Sequence, residues 1–241
     1  LMEHNVAVVN CNESHHPIGM LLNFEGNSTQ TESFIAQAEA SKPLKKQLWQ
    51  QVVKAKVRNQ ALVLDAMGQD GGRLHKVVQE VRSGDVDNRE GVAAVYYWPR
   101  VFKTLPHFLR GREGAYPNNA LNYGYAILRA TMARALVGSG LHPTLGLFHR
   151  NRYNAFCLAD DMMEPYRPLV DQVVAGIVAN RPPDRTELDQ EAKINLLRIP
   201  TLDVVMNGNT RPLMVAVSET SASLTRAFLG EEGPIALPMP A

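Results

Sequence analysis

Four side chains able to bind a hard cation, His149, Asp160, Asp161 and Glu164, fall within sixteen consecutive positions. Asp161 and Glu164 are three residues apart, so on a helix they share one face. Carboxylates facing an imidazole point to a divalent ion. Hard oxygen donors with one nitrogen favour Mg²⁺ or Mn²⁺ over structural zinc and leave coordination positions for phosphate oxygens and water. A second explanation stays open: acids just ahead of Pro165 can stabilise a helix N-terminus, and a histidine in a basic loop is often simply solvated. Glu90 presents the same choice, because Asp87-Asn88-Arg89-Glu90 has capping-box spacing, in which the last carboxylate returns to the first amide of a helix.

Around these acids the charge is one-sided. Arg100 with Lys103, Arg110 with Arg112, and Arg150 with Arg152 are three basic clusters, each of which alone reads as a solvated face. Together they differ, since neither residues 100–112 nor residues 118–159 contain an acid. Positive charge around candidate metal ligands makes phosphodiesters a reasonable substrate class. The formal net charge of +1 over 241 residues hides further segregation: residues 1–41 carry five acids and no Lys or Arg, whereas residues 42–64 carry Lys42, Lys45, Lys46, Lys54, Lys56 and Arg58 without an acid. That second stretch is a candidate anion-binding surface.

Other chemistries lack a signature. Gly111-Arg112-Glu113-Gly114 has neither the spacing nor the lysine of a phosphate loop, and no local Ser/His/Asp pattern marks nucleophilic catalysis. Cys11 and Cys157 are too few for a disulfide framework or a thiolate zinc site, which makes a reducing compartment the default. Cys157, between Phe156 and Leu158, reads as a small buried hydrophobe. No apolar run is long enough to span a membrane and no secretory signal is present, so the expected location is cytoplasmic, with no membrane partner.

The elements that must position these residues are mainly helical. Residues 5–10 and 20–24 form a strand-rich start, and from Thr31 onward the period is that of a helix. Ser41 and Pro43 open a helix with an apolar stripe of Leu48, Trp49, Val52, Val53 and Val57, and Lys45, Lys46, Lys54 and Arg58 lie largely off it. Short helices are expected after Gly71-Gly72 and after Asp87. In the latter, Tyr96, Tyr97 and Trp98 must point in different directions, at least one into the core. Leu121, Tyr125, Leu128, Met132 and Leu136 mark a long helix ended by Gly138 and Gly140. A further helix over residues 158–180 is started or interrupted by Pro165 and Pro168, and Arg181-Pro182-Pro183 reads as a linker. Residues 202–206 and 213–217 suggest a small hairpin with a loop longer than two residues, followed by a short helix about Leu224 and a Pro-rich tail. With 45% hydrophobic and 20% charged residues, a sizeable core forms and disorder is excluded as the main state.

Three stretches resemble a known family. Asn119-Ala120-Leu121-Asn122-Tyr123-Gly124-Tyr125, then Gly140-Leu141-His142-Pro143 with Gly146 and His149-Arg150-Asn151, then Leu158-Ala159-Asp160-Asp161-Met162-Met163-Glu164-Pro165-Tyr166-Arg167 are similar to the CRISPR-associated integrases of the adaptation module, in the version that accompanies single-protein effectors. Lys54-Ala55-Lys56-Val57-Arg58-Asn59-Gln60-Ala61 and Arg89-Glu90-Gly91-Val92 agree with the resemblance. It implies an α+β, mainly α chain: the remnant of an N-terminal β-domain over residues 1–27, whose first part is expected upstream, then a large all-helical catalytic domain over residues 28–241 with a small C-terminal hairpin.

The resemblance further implies metal binding by Glu90, His149 and Glu164, with Asp161 either a direct ligand or a support. Asp160 keeps the reading of an acid at a helix N-terminus. DNA-backbone contact is expected among Arg58, Arg100, Lys103, Arg110, Arg112, Arg150 and Arg152, and Asn119, Asn122 and Tyr123 resemble residues lining the active site, although a turn and helix start explains the asparagines equally well. The implied activity is insertion of a short foreign duplex, whose 3′-hydroxyls attack phosphodiesters at the borders of a CRISPR repeat, in the presence of Mg²⁺ or Mn²⁺. The implied partners are that double-stranded DNA, the repeat DNA, a second copy in a homodimer, and a dimer of a small ferredoxin-like adaptation protein. Three rivals remain: a transposon-encoded relative, a non-catalytic DNA-binding scaffold, and a nuclease acting on branched DNA.

Overall fold

A computed structural model describes residues 8–11, 13, 17–21, 27–105, 107–111, 116–180 and 187–241. Strands β1 (Val8–Cys11) and β2 (Pro17–Leu21) pair antiparallel, with a shift in register between Asn10 and Cys11. The rest is chiefly helical: α1 (Gln30–Glu39), α2 (Lys42–Ala66), α3 (Gly72–Glu80), α4 (Arg89–Val101), α5 (Asn118–Gly138), α6 (Cys157–Met163), α7 (Arg167–Ala179), α8 (Gln190–Leu197) and α9 (Leu213–Phe228). The strands β3 (Asp203–Met206), β4 (Asn209–Pro212) and β5 (Met239–Pro240) make a small antiparallel sheet in the order β4-β3-β5. The expected α+β, mainly α class is observed. The expected linker at residues 181–183, the outer parts of the first two expected strands and Arg112 lie outside the described residues.

Two long helices organise the molecule. In α2 the Ser41 hydroxyl accepts the Leu44 amide and Pro43 occupies the first turn, where its missing N–H costs nothing. Its buried face runs through Leu48, Trp49, Val52, Val53, Val57, Ala61 and Leu64, and packs against α3, α4, α7 and the 3₁₀ turn over Glu164–Tyr166. The second, α5, buries Leu121, Leu128, Met132 and Leu136 against α6, α7, α8 and α9. Gly124 makes the α5–α7 approach possible: a Cβ there would lie 2.6 Å from Val170 Cγ1 and 3.2 Å from Ile199 Cδ1.

The interruption expected within residues 158–180 is observed: two helices, α6 and α7, are joined by the 3₁₀ turn that carries Glu164, because Pro165 and Pro168 remove the amides a continuous ladder needs. Two expectations are corrected. The hairpin is real, but its second strand is residues 209–212. Asn207 and Gly208 take φ of +50° and +79°, the left-handed pair of a two-residue type I′ turn, so the chain reverses directly after Met206. Leu213, Ala216, Val217, Thr220 and Leu224 then follow helical spacing and are buried, so residues 213–217 begin the 16-residue α9 and not a strand.

The Pro-rich tail returns to α2. Gln51 Oε1 accepts the Ile235 amide at 2.9 Å, and Asn59 Nδ2 donates to the Pro238 carbonyl at 2.9 Å and the Pro165 carbonyl at 2.7 Å. One buried asparagine thus ties α2 to both the tail and the turn holding Glu164. Gly124→Ala is expected to destabilise the fold by about 1–3 kcal/mol through overpacking against the stiff Val170 side chain. In denaturant unfolding the loss should be largely recovered in Gly124→Ala/Val170→Ala; additive losses would contradict the packing account.

Candidate metal and nucleic-acid site

Helix α4 opens on Asn88, whose left-handed backbone lets its side chain accept the Gly91 amide, while Asp85 accepts the amides of Arg89 and Glu90 at 2.8 and 3.1 Å. The helix start is capped without Glu90. Its carboxylate instead reaches Lys56 Nζ on α2 at 2.6 Å, so the capping-box explanation does not hold. Glu164, in the 3₁₀ turn between α6 and α7, places Oε2 2.5 Å from the same ammonium and Oε1 3.2 Å from Arg167 Nη2. Two acids 74 positions apart therefore converge on one cation. Their side chains are 27% and 4% exposed, and that of Lys56 is 12% exposed.

Burial pushes the Glu164 carboxyl up, but Arg167 and Lys56 more than offset this and hold it below the usual carboxylate range. Burial pulls the Lys56 ammonium down, and Glu164 and Glu90 reverse the shift to leave it above its ordinary value. Glu164 Oε2 is in ion-pair contact with Lys56 but has no aligned hydrogen bond.

His149 sits in the loop between α5 and α6. Asp161, fully buried on α6, accepts the amides of Leu147 (2.6 Å), Phe148 (2.9 Å) and His149 (3.3 Å), and pairs with His149 Nδ1 at 2.5 Å. Both oxygens of Asp161 are engaged in fixing the loop. In the neutral ring, with Nδ1–H donated to Asp161, the Nε2 lone pair is the one left for a ligand. The Asp161 hydrogen bond raises the imidazole pKa, against burial and with help from the charges of Asp161, Glu164 and Asp160. Gly146 is required here, since a Cβ would meet the His149 carbonyl at 2.4 Å and Asp161 Oδ2 at 2.9 Å. Trp49 of α2 stacks on Phe148 (centroids 4.6 Å apart) and stands edge-on to the His149 ring.

A buried network lies behind the carboxylates. Tyr97 and Tyr125 both donate to Asp171, the former at 3.0 Å, and burial raises the Asp171 carboxyl to about 6. The guanidinium groups of Arg167 and Arg110 lie 4.8 and 5.3 Å from the Tyr125 ring centroid. Arg110 also donates to Asn118 at 3.0 Å and to Asn122 at 2.7 Å, which joins Arg110 and Asn122, two of the expected site positions.

The remaining expected residues divide. Arg150 and Arg152 are exposed in the loop after His149; Arg150 adds to the partial burial that lowers the Lys45 ammonium, and Arg152 donates to Tyr153. Lys103 is exposed in the turn after α4, and Tyr123 is half-buried against the core. Asn119, half-buried at the start of α5, accepts the Ala120 amide. Arg58 instead donates to the Pro238 carbonyl at 2.9 Å, and Arg100 lies over the Tyr96 ring at 3.5 Å and donates to the Tyr96 carbonyl. Asp160 pairs with Arg129 at 2.6 Å and accepts from Asn154 at 2.7 Å. Tyr96 and Tyr97 are both buried.

The donor set suits a hard divalent ion: two carboxylates already aimed at one cation position, and a histidine held in the tautomer that offers Nε2. The fit is incomplete as the side chains stand. Among the described residues, no three His, Cys, Asp or Glu side chains form a group closed around an ion position, and Lys56 takes the place between Glu90 and Glu164.

The sequence profile of the family described as CRISPR associated protein Cas1 matches residues 1–207. The CRISPR-associated endonuclease Cas1 of Neisseria meningitidis serogroup C is 46% identical over 176 residues, which is 72% of this chain and 57% of that protein. The chain thus spans a little over half the length of that relative. Among solved structures, a casposase bound to integration product superposes with a TM-score of 0.78 at 22% identity, covering 97% of this chain and 75% of that one. A Cas6-RT-Cas1–Cas2 complex superposes with a TM-score of 0.72 at 22% identity, covering 94% of this chain and 29% of that one. At these identities the two structures establish the fold alone. No helix among the described residues is long and apolar enough to cross a membrane.

Asp161→Asn is expected to lower the His149 pKa, because the carboxylate is the main cause of its elevation. Histidine NMR titration of both proteins reads this directly, and an unchanged midpoint would contradict the assigned pair.

Proposed function

The chain belongs to the Cas1 family of CRISPR-associated proteins, and we propose that it is a metal-dependent DNA endonuclease and integrase that inserts short foreign duplexes into a CRISPR array. The observation that carries this reading is the convergence of Glu90 and Glu164 on one cation position, with His149, paired to Asp161, near enough to Glu164 for their charges to interact. Glu90, Glu164 and His149 Nε2 would hold Mg²⁺ or Mn²⁺, and Asp161 orients the imidazole without ligating. When bound, such an ion supplies activation of the attacking 3′-hydroxyl and stabilisation of charge on the phosphoryl and leaving oxygens.

The protein's own side chains do the positioning. Lys45, Arg150 and Arg152 would supply phosphate-binding charge beside the His149 loop, against which Trp49 packs through Phe148 and His149. Arg110, bonded to Asn122, and Arg167 add cations behind the carboxylates, so a strand's phosphates meet net positive charge at the reacting end. Phosphate contacts fix register but read little sequence. The proposed partners are therefore double-stranded DNA with 3′-hydroxyl ends, repeat DNA, a second copy of the chain, and a small ferredoxin-like adaptation protein. The superposed Cas6-RT-Cas1–Cas2 complex supports the last of these.

The superposition on a casposase favours a second reading, a transposon-encoded integrase with the same site. Joining of a short duplex to a supercoiled plasmid in Mn²⁺ tests both. The first reading expects joining that needs 3′-hydroxyl ends and concentrates at repeat borders, whereas the second expects joining without regard to the repeat. Glu90→Ala and His149→Ala should each lose about 100-fold or more in strand transfer while duplex binding changes little. Full joining by either variant would reject the site.

A further inference from the structure

We propose that Lys56 is a tethered stand-in cation: without metal its ammonium holds Glu90 and Glu164 together at the ion position, and a divalent ion enters by displacing it. The inference rests on the metal-site reading above and concerns what fills the site when the ion is absent. Lys56 Nζ lies 2.6 Å from Glu90 Oε1 and 2.5 Å from Glu164 Oε2. A divalent ion held by Glu90 and Glu164 would need the space that the ammonium fills, so the two occupants would exclude one another.

Something must occupy that space. Glu164 is almost fully buried, and two neighbouring carboxylates left without a cation repel while one of them sits out of water. Arg167 covers only the other oxygen of Glu164. Lys56 meets the need and is also removable. Its backbone is pinned, because Ala55 and Val57 are buried on either side and Asn59 holds the Pro165 carbonyl one residue beyond Glu164. Its four-carbon stem can swing without moving that backbone, which a backbone donor could not do.

Exchange also changes the charge. Lys56 and Arg167 balance Glu90 and Glu164 in the ion-free state; with a divalent ion between the carboxylates and the ammonium released nearby, the site becomes cationic and suited to a phosphodiester. Lys56 then acts as a positioning residue before ion binding and a phosphate-facing charge after it.

Mn²⁺ binding to the full chain, followed by the electron paramagnetic resonance of the free ion, tests this in wild type, Lys56→Met and Lys56→Gln. Apparent affinity falls in proportion to the fraction of protein with an open site, so both variants should bind Mn²⁺ about 10-fold tighter than wild type. Without metal they should unfold at a lower temperature than wild type, and Mn²⁺ should raise their unfolding temperature by more than it raises that of wild type. In wild type, saturating Mn²⁺ should increase amine-reactive labelling of Lys56 several-fold by mass spectrometry, a readout that survives if a variant fails to fold.

Equal or weaker binding by both folded variants, or labelling unchanged by Mn²⁺, overturns the inference while leaving the metal site standing. Absence of Mn²⁺ binding in wild type and variants alike overturns the metal site and this inference together.

Discussion

A lysine ammonium held between two glutamates, inside a helical core, is the contact to which the rest of this architecture answers. Buried charge is tolerated only when paired, and the pairing here requires three separate segments to meet. Helix α2 supplies Lys56, the first turn of α4 supplies Glu90, and the 3₁₀ turn between α6 and α7 supplies Glu164. The apolar stripe of α2 fixes the height of Lys56, and Asn59, bonded to the Pro165 carbonyl, fixes the turn that carries Glu164 relative to the same helix. Asp85 and Asn88 satisfy the α4 amides, which frees the Glu90 side chain to leave the helix end and reach across.

A second, smaller constraint governs the histidine. A single carboxylate, Asp161, takes three consecutive backbone amides and the imidazole, so the loop from Leu147 to His149 is folded around it as a cap around an anion. Gly146 permits that closeness, and Trp49 closes the loop from the α2 side. The same helix therefore carries Lys45 near Arg150, Trp49 against Phe148, Lys56 between the acids and Asn59 at the Glu164 turn. These positions lie four, seven and three residues apart, close to whole numbers of turns, and so share one face, which corrects the expectation that Lys45 lies off the stripe carrying Trp49.

Much of this is legible in the sequence where local rules suffice. The Ser41-Pro43 start, the stripe of α5 and the stop at Gly138 and Gly140 depend on neighbours in the chain, and they stand as read. Glu90, His149 and Glu164 can be singled out by type and spacing, but capping and ligation look alike until the Glu90 side chain is seen to turn away from its own helix end. Lys56 illustrates what is lost. It sits in a basic run with Lys54 and Arg58, which suggests an anion-binding surface, yet it is four residues from Val52 and seven from Trp49, within the buried stripe, whereas Lys54 is not. A lysine on an apolar face signals a buried acid partner, but its identity depends on long-range packing. Arg58 and Arg100 show the converse, as cations suited to DNA that are engaged with a tail carbonyl and a tyrosine ring. The misplaced second strand has a local cause: Asn207-Gly208 carries a complete two-residue turn, and the β-branched residues after Pro212 obey helical rather than alternating burial.

The proposed activity requires Glu90, Glu164 and His149 to share one ion position. Anomalous diffraction from a crystal of the chain soaked in Mn²⁺ tests it most directly. One strong peak is expected about 2.1–2.3 Å from an oxygen of each glutamate and from His149 Nε2, with Asp161 still bonded to Nδ1. A peak bound by other residues, or none while Glu90 and Glu164 remain on Lys56, would contradict it.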